Sequence, residues 1–406
     1  MNDEQLNRFS RGEATSLRDA TRTTSLSTSP PSNGEKPDLN IGRSFTIRTL
    51  LALTLGLSVS ACKKSSEVAS SPSGTASPAT SGSASASSGS IISVGGAGAT
   101  YPAPLYQRWF AEYNKVNPGT QVSYQSVGSG AGVEQFLAGT VDFGASDAPL
   151  KADERAKFKT KFGGEPLQVP MTGGMIVFAY NLDGVKDLKL SRTAYCGIAS
   201  GKITKWNDLE IVKTNAGAKL PSEAIKFFHR SDGSGTTFQF TNHLKAACPK
   251  WTAGASKSVD WSKGMIGARG NQGVSEEIAA LPNSIGYVEY SFAKQANLSM
   301  AAIENKSGKS IVPSPAAGAE AFVGEKVPAD LGLTVPDSIN PKAYPISGLT
   351  WLLLYPQPKD ATKTTALKAV IEWALTTGKA SATELGYLPL DDELTIKAKA
   401  ELNKVK

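Results

Sequence analysis

The chain has 406 residues, of which 40% are hydrophobic and 19% are charged, and these fractions are ordinary for globular proteins. They exclude a wholly disordered chain and a polytopic membrane protein, and the length allows two or three domains of about 150 residues each. The formal charge of +7 suits an anionic partner. With 2 His and 3 Cys, the chain is too poor in these residues for a zinc ribbon or an iron–sulfur site, so we predict no metal and no cofactor.

The first 90 residues are predicted to lie outside the fold. Residues 1–44 are polar and show no apolar periodicity, which is typical of disorder. A basic flank at 43–48 then precedes an apolar run at 49–61, a pattern that favours a secretory signal peptide over a buried core helix. The run is too short to span a membrane. Because the polar leader ahead of it is unusually long, the true start codon stays open.

Cys62 follows Val-Ser-Ala and thereby resembles the lipidated cysteine of a bacterial lipobox. Residues 63–90 are almost entirely Ser, Ala, Gly, Thr and Pro, which predicts a flexible tether. We therefore assign residues 1–61 to a leader and signal peptide, and residues 62–90 to the lipidated cysteine and its tether. This organisation predicts a periplasmic protein that a lipid holds at the membrane.

The positive charge belongs to the exported part of the chain. Residues 1–61 hold seven Lys or Arg and six Asp or Glu, so the remainder keeps +6 of the total of +7. No block of five or six like charges occurs in it, which argues against a nucleic-acid-binding arm.

Two cysteines remain in the globular part, Cys196 and Cys248. In an exported chain they are most simply paired in a disulfide. Two buried free thiols are the alternative, and the sequence alone leaves both open because it does not show the distance between their Cα atoms.

From residue 91 onward, strand and helix patterns alternate, which predicts an α/β fold with mainly parallel sheets. One helix pattern places Leu105, Trp109, Tyr113 and Val116 on a common apolar face. In chain order the predicted strands are 91–94, 121–127, 141–145, 175–180, 225–230, 285–290 and 350–355. The predicted helices are 105–116, one that opens at 128–132 and runs to 137, then 237–247, 361–377 and 390–404.

Three predicted strands end in a Gly/Ser/Thr loop that opens a helix, at 98–101, 128–130 and 232–236. The first turn of a helix has free N–H groups and a partial positive charge, so it attracts anions. Glycines allow the backbone to approach a ligand closely, and hydroxyl groups add donors. Any one loop alone is explained by ordinary helix capping, but three in one chain predict an anion site.

Other chemistries fit these loops less well. A Walker loop needs a Lys that is missing from all three, and the G-x-S-x-G nucleophile elbow is absent. His229 and His243 flank the third loop, and a triad with Ser234 and an Asp can be drawn, but nothing in the spacing favours it over structural roles for both histidines.

Taken together, these segments resemble the periplasmic phosphate-binding protein of Pst-type phosphate ABC transporters. The resemblance covers essentially all of 91–406, in order. It rests on the segments 96–104, 124–132, 140–150, 201–208, 230–236, 270–273, 285–290 and 344–347.

The resemblance implies a two-lobed periplasmic binding protein fold (type II), with the ligand cleft between lobes that are joined by a two-strand hinge. Lobe I is expected at 91–170 plus 346–406 and lobe II at 171–345. The chain would cross between them near 170–173 and 344–347, where Pro and Gly interrupt the pattern.

The resemblance also implies the ligand contacts. Phosphate would be bound by Thr100, Tyr101, Ser129, Asp147, Arg230, Ser234, Gly235 and Thr236, with Tyr101 donating through its backbone N–H. Asp232 would orient Arg230, whose guanidinium suits a two-pronged contact with an oxyanion.

Asp147 is the expected selective residue of this set. A carboxylate only accepts hydrogen bonds, so it suits a ligand that carries its own proton. Phosphate near neutral pH carries one and sulfate does not. We therefore hypothesise that Asp147 accepts the phosphate proton and rejects sulfate.

The resemblance thus implies a non-enzymatic, monomeric carrier that binds inorganic phosphate and delivers it to an ABC permease and its ATPase. The alternatives are an exported phosphatase or other phosphoester hydrolase that uses the same loops, and a binding protein for another oxyanion. No catalytic residue is predicted.

Overall fold

The computed structural model describes residues 90–406. Residues 1–89 lie outside the described residues, and with them the predicted signal peptide, Cys62 and nearly all of the predicted tether.

The described residues form thirteen strands. In chain order they are β1 (Ile92–Gly98), β2 (Thr120–Ser126), β3 (Phe143–Ser146), β4 (Leu167–Asn181), β5 (Lys189–Leu190), β6 (Lys226–Arg230), β7 (Ile266–Ala268), β8 (Ser284–Glu289), β9 (Ser299–Met300), β10 (Ala302–Glu304), β11 (Ser310–Ile311), β12 (Thr334–Val335) and β13 (Ser347–Leu354).

The same residues form twelve helices. They are α1 (Ala103–Val116), α2 (Ser129–Ala138), α3 (Ala152–Phe162), α4 (Arg192–Ala199), α5 (Leu209–Val212), α6 (Gly235–Ala247), α7 (Gly270–Ala280), α8 (Tyr290–Gln295), α9 (Pro315–Ala319), α10 (Ala361–Ala374), α11 (Lys379–Leu385) and α12 (Asp392–Leu402).

Most strands belong to one large sheet in the order β2-β1-β3-β13-β4-β8-β6-β7, with β12 paired to β13 and β9 to β4. The long strand β4 joins two halves of this sheet, because it pairs with β13 up to Met175 and with β8 from Ile176 onward. We call β2, β1, β3, β13 and the beginning of β4 the first half, and the end of β4 with β8, β6 and β7 the second half. A separate small sheet has the order β11-β10-β5.

The prediction of mainly parallel strands holds only for the outer parts of the sheet. β1 is parallel to β2 and β3, and β6 is parallel to β7 and β8. In the centre, β13 is antiparallel to β3 and β4, and β4 is antiparallel to β8. The chain returns from the second half to the first through β13, so β13 enters the sheet against the direction of its neighbours.

The centre of the sheet is also the core of the molecule. Every residue of β13, and every residue of β4 except Asn181, is buried. Such continuous burial explains the apolar runs at 175–180 of β4 and 351–354 of β13, which do not alternate with polar residues. Glycines 173 and 174 lie in the middle of β4, where a Cβ on Gly174 would press against the Tyr101 ring and hydroxyl.

The helices begin and end where local chemistry dictates. Pro102 precedes α1, and Leu105, Trp109 and Tyr113 are buried along one face, whereas Val116, predicted on the same face, is exposed. Ser234 caps α6 by accepting a hydrogen bond from Thr237 N. The other predicted elements occur with shifted ends. The sequence patterns did not predict the helices α3, α4, α5, α7, α8, α9 and α11.

Cys196 of α4 and Cys248, which follows α6, are joined by a disulfide with their Cα atoms 5.6 Å apart. Among the residues that the structure describes, no helix has the length and apolar character needed to cross a membrane.

Candidate functional site

The second and third glycine-rich loops, which follow β2 and β6 in different halves of the sheet, contact each other. Gly130 N donates a hydrogen bond of 2.7 Å to Gly233 O. Gly128 has φ +96°, a conformation that favours glycine, and it precedes the first turn of α2. A Cβ on Gly235 would lie 2.5 Å from Ser129 Oγ and 2.6 Å from Asp147 Cβ, so only glycine permits this approach. The structure therefore brings together loops that lie about 100 positions apart in the chain.

Asp147 lies at this junction and is 1% exposed. Its Oδ1 accepts a hydrogen bond of 2.8 Å from Thr350 Oγ1, and its backbone oxygen accepts one of 2.9 Å from Gln239 Nε2. Its backbone N–H donates to Ser129 Oγ at 3.2 Å. Burial raises the pKa of Asp147 to about 7, even though Thr350, Arg230 and Ser129 each favour the ionised form.

Arg230 ends β6, and its side chain is almost fully buried against Asp232. Its Nε donates to Asp232 Oδ1 at 2.7 Å and its Nη2 donates to Oδ2, so the carboxylate holds the guanidinium with two bonds. Gly270 N adds a third bond to Asp232 Oδ1 at 3.0 Å. Burial alone would raise the pKa of Asp232, but Arg230 outweighs it and holds that pKa below its usual value.

Thr100 and Thr236 approach each other from the first and third loops, and both are buried. Between them lies Asn271, the second residue of α7, whose Nδ2 is 2.9 Å from Thr100 Oγ1 and 3.0 Å from Thr236 Oγ1. Arg230 Nη1 also donates to Thr236 Oγ1, at 3.3 Å. Thr100 follows β1 in the first half of the sheet, so these bonds connect the two halves.

The other expected contact residues lie in the same place. Ser234 and Gly235 are buried at the start of α6, where the first N–H groups of the helix have no partner within it. The Tyr101 hydroxyl donates to Gly348 O at 3.1 Å, so the side chain of this residue is bonded within the core. A groove of about 570 Å³ borders the junction and includes Thr100, Asp232 and Gly270 in its lining.

Two site residues were missed from the sequence. Asn271 lies in the segment 270–273 that carried the family resemblance, and that position was its only signal. Thr350 had no signal at all, because it stands in an apolar strand and reaches Asp147 only through the antiparallel pairing of β13 with β3.

A second buried carboxyl group, that of Glu289, lies beside the point where β4 changes partners. It is 0% exposed, and its Oε2 accepts hydrogen bonds from Ser291 N at 2.9 Å and from the Ser291 hydroxyl. The Ser291 hydroxyl is 2.8 Å from that of Tyr387, which donates to Tyr101 O at 2.7 Å. Burial raises the pKa of Glu289 to about 8.

This arrangement offers many donors and one facing carboxyl group, which is the chemistry of an oxyanion site. His243, by contrast, contacts Pro336 O and the Tyr195 hydroxyl, and His229 stacks on Trp261 at 5.0 Å between ring centroids. Across residues 90–406, no group of three or more His, Cys, Asp or Glu is arranged to hold a metal ion.

Comparison with known proteins defines the class of this chain. A sequence model described as the PBP superfamily domain matches residues 73–377. A phosphate binding protein from Stenotrophomonas maltophilia has a similar structure, with a TM-score of 0.63 at 21% identity over 76% of this chain and 94% of that one. The chain therefore has the two-lobed α/β fold of the periplasmic binding proteins.

Closer sequence relatives define the family within this class. The phosphate-binding protein PstS of Pasteurella multocida is 40% identical over 75% of this chain and 88% of its own length. PstS of Haemophilus influenzae is 38% identical over 76% of this chain and 92% of its own length. The chain belongs to the PstS family of phosphate-binding proteins.

The buried Glu289 predicts that stability depends on pH. Its folded-state pKa lies above the value of about 4.3 for an unfolded glutamate, so the folded protein holds the extra proton between the two values. Its stabilising contribution is full below the unfolded pKa and is lost as pH rises through about 8. We expect the free energy of unfolding, measured with urea, to fall between pH 5 and pH 8.

Glu289→Gln, which mimics the protonated acid, should reduce this slope by at most about 1.4 kcal/mol per pH unit. Asp147 titrates in the same range and should account for part of the slope that remains. The matched control is Glu277→Gln, at an exposed position of α7, and it should keep the wild-type slope. If Glu289→Gln keeps the wild-type slope, Glu289 is not a source of the pH dependence.

Proposed function

We propose that the chain binds inorganic phosphate outside the inner membrane and delivers it to an ABC-type importer. The observation that carries this proposal is a buried junction of hydrogen-bond donors beside the carboxyl group of Asp147, while the second carboxylate, that of Asp232, is bonded to Arg230. The PstS relatives are named for phosphate binding, which supports the same ligand. The expected contact residues are Thr100, Tyr101, Ser129, Asp147, Arg230, Ser234, Gly235 and Thr236, with Asp232 in support.

The helix starts around the junction supply part of the attraction. α1, α2 and α6 each begin directly after one of the three loops, so the partial positive charges of their first turns lie beside the junction. The guanidinium of Arg230 adds a full charge, and Asp232 holds it in one orientation. A small dianion that leaves water at this point meets a preformed set of donors.

We propose that binding closes a hinge between lobe I, at 91–170 plus 346–406, and lobe II, at 171–345. The hinge consists of β4 and the segment that leads into β13, where Ile176 N donates to Ile346 O at 2.9 Å. In the structure Lys257 and Glu154, from the two sides of the cleft, form an ion pair of 2.6 Å and are only 11% and 14% exposed. Such a pair suits a closed cleft.

The proposed role is that of a carrier and not of an enzyme. Binding and release require donors that hold the ligand reversibly, and the residues at the junction supply them. We further propose that the chain acts as a monomer whose partners are the permease and ATPase of the importer, without any nucleic acid.

The direct test is calorimetric titration of the full chain, purified in detergent and freed of phosphate. We expect one inorganic phosphate to bind per chain, with no heat from sulfate at pH 8. A phosphate monoester should remain unhydrolysed under the same conditions. Absence of phosphate binding would overturn the proposal, and turnover of the ester would favour the hydrolase alternative.

Asp147 is the proposed discriminator between phosphate and sulfate. When ionised, its carboxylate accepts a hydrogen bond from the protonated oxygen of phosphate, and it repels sulfate, which carries no proton. Because its pKa is about 7, Asp147 becomes protonated as pH falls below this value and is then able to donate to sulfate. We therefore expect wild-type affinity for sulfate to rise between pH 8 and pH 5.

Asp147→Asn should bind sulfate with little dependence on pH, because its amide group donates at every pH in this range. Asp153→Asn, at an exposed position of α3, is the control and should keep the wild-type preference at both pH values. If Asp147→Asn excludes sulfate as strictly as the wild type, the proposed role of the carboxylate is wrong.

We propose export by the segment at 43–61 and anchoring through a lipid on Cys62, with 63–90 as the tether. Fractionation of cells that express the wild type should place the chain in the membrane fraction. Cys62→Ser should move it to the soluble or uncleaved precursor pool, whereas Ser65→Ala should leave it in place. Membrane retention of mature Cys62→Ser would contradict the anchor.

A further inference from the structure

Asn271 makes four polar contacts while it is 0% exposed. Its Nδ2 donates to the hydroxyl oxygens of Thr100 and Thr236 at 2.9 and 3.0 Å. Its Oδ1 accepts a hydrogen bond of 3.0 Å from Glu289 N, and its own backbone N–H donates to Thr100 Oγ1 at 3.2 Å.

The contact with Glu289 determines which way the Asn271 amide points. A backbone N–H only donates, so the atom that faces it must be the amide oxygen. If the amide were turned by 180°, two donors would face each other at Glu289, and the oxygen would face the two threonines. The Glu289 N–H therefore holds both hydrogens of Nδ2 toward Thr100 and Thr236.

Counting lone pairs then shows that each threonine hydroxyl still has a hydrogen to donate. A hydroxyl oxygen accepts two hydrogen bonds and has one hydrogen to donate. Thr100 Oγ1 accepts from the backbone and side-chain nitrogens of Asn271, so both lone pairs are used. Thr236 Oγ1 accepts from Asn271 Nδ2 and Arg230 Nη1. In each case the hydroxyl hydrogen is left for a third partner.

We propose that Asn271 is a positioning residue that makes the hydroxyl groups of Thr100 and Thr236 obligatory donors to the bound anion. This inference rests on the proposed function, because it names how two of the proposed phosphate contacts are oriented. A hydroxyl that is free to rotate could turn a lone pair toward the anion, which would repel it. With both hydrogens held inward, the threonines favour an oxyanion and disfavour a neutral donor ligand.

The same contacts make this orientation depend on closure of the cleft. Thr100 follows β1 in the first half of the sheet, whereas Asn271 and Thr236 belong to elements of the second half. Separation of the halves would remove both Asn271 bonds from Thr100 and release its hydroxyl. The set of obligatory donors is therefore complete only when the cleft is closed, which links ligand recognition to the closed state.

The test is a mutant cycle on the full chain, with binding of inorganic phosphate followed by calorimetry. Asn271→Ala should raise the Kd about tenfold to a hundredfold, because it releases two donor groups at once. In the background Thr100→Val plus Thr236→Val, the same substitution should change the Kd by less than about threefold, since the hydroxyls through which Asn271 acts are gone. This loss of effect is what a purely structural role would not produce.

The matched control is Gln272→Ala, at the next position of α7, where the side chain is exposed and bonds only to Glu276 at 2.8 Å. It should bind phosphate as the wild type does. An equal rise in Kd from Asn271→Ala in both backgrounds, or no rise in either, would overturn this inference while the wild type still binds phosphate. Failure of the wild type itself to bind phosphate would overturn the proposed function instead.

Discussion

Transfer of an oxyanion from water into a protein has a large free-energy cost unless its oxygen atoms accept hydrogen bonds from donors in the protein. The local structure around the loop junction follows from this constraint. Helix starts, hydroxyl groups and one guanidinium converge there, and the glycines at 128 and 235 permit an approach that a Cβ would block. Two of these donor groups are held in place, because Asp232 bonds the Arg230 guanidinium and Asn271 bonds both threonine hydroxyls.

The same low-dielectric surroundings shape the two buried carboxyl groups. Burial raises the pKa of Asp147 to about 7 and that of Glu289 to about 8, yet the two groups serve different purposes. Asp147 lies beside the donors and is suited to accept a hydrogen bond from a protonated ligand. Glu289 bonds Ser291 beside the point where β4 changes partners, and its backbone N–H orients Asn271. The junction is thus connected by a short chain of hydrogen bonds to the point where β4 changes partners.

Much of the fold and part of the site were predictable from local sequence. The glycine-rich loops, the strands before them and α1, α2 and α6 follow from turn chemistry and periodicity, which depend on neighbouring residues only. The antiparallel centre of the sheet was not predictable in this way, because the direction of β13 depends on the path of the chain through the whole second half. Thr350 was not predicted as a site residue for the same reason, since it lies 203 positions from Asp147 in the chain.

The sequence by itself predicted an anion site, because three glycine-rich loops at helix starts offer backbone and hydroxyl donors, and the family resemblance implied that the anion is phosphate. It also indicated where each loop starts, because the end of a strand and the cap of a helix depend on residues that are close together in the chain. Only the tertiary structure decided which loops meet, which hydroxyl oxygens accept from Asn271 and how strongly burial shifts the pKa of each carboxyl group. These properties depend on distances between residues that are remote in the chain, and packing alone sets those distances.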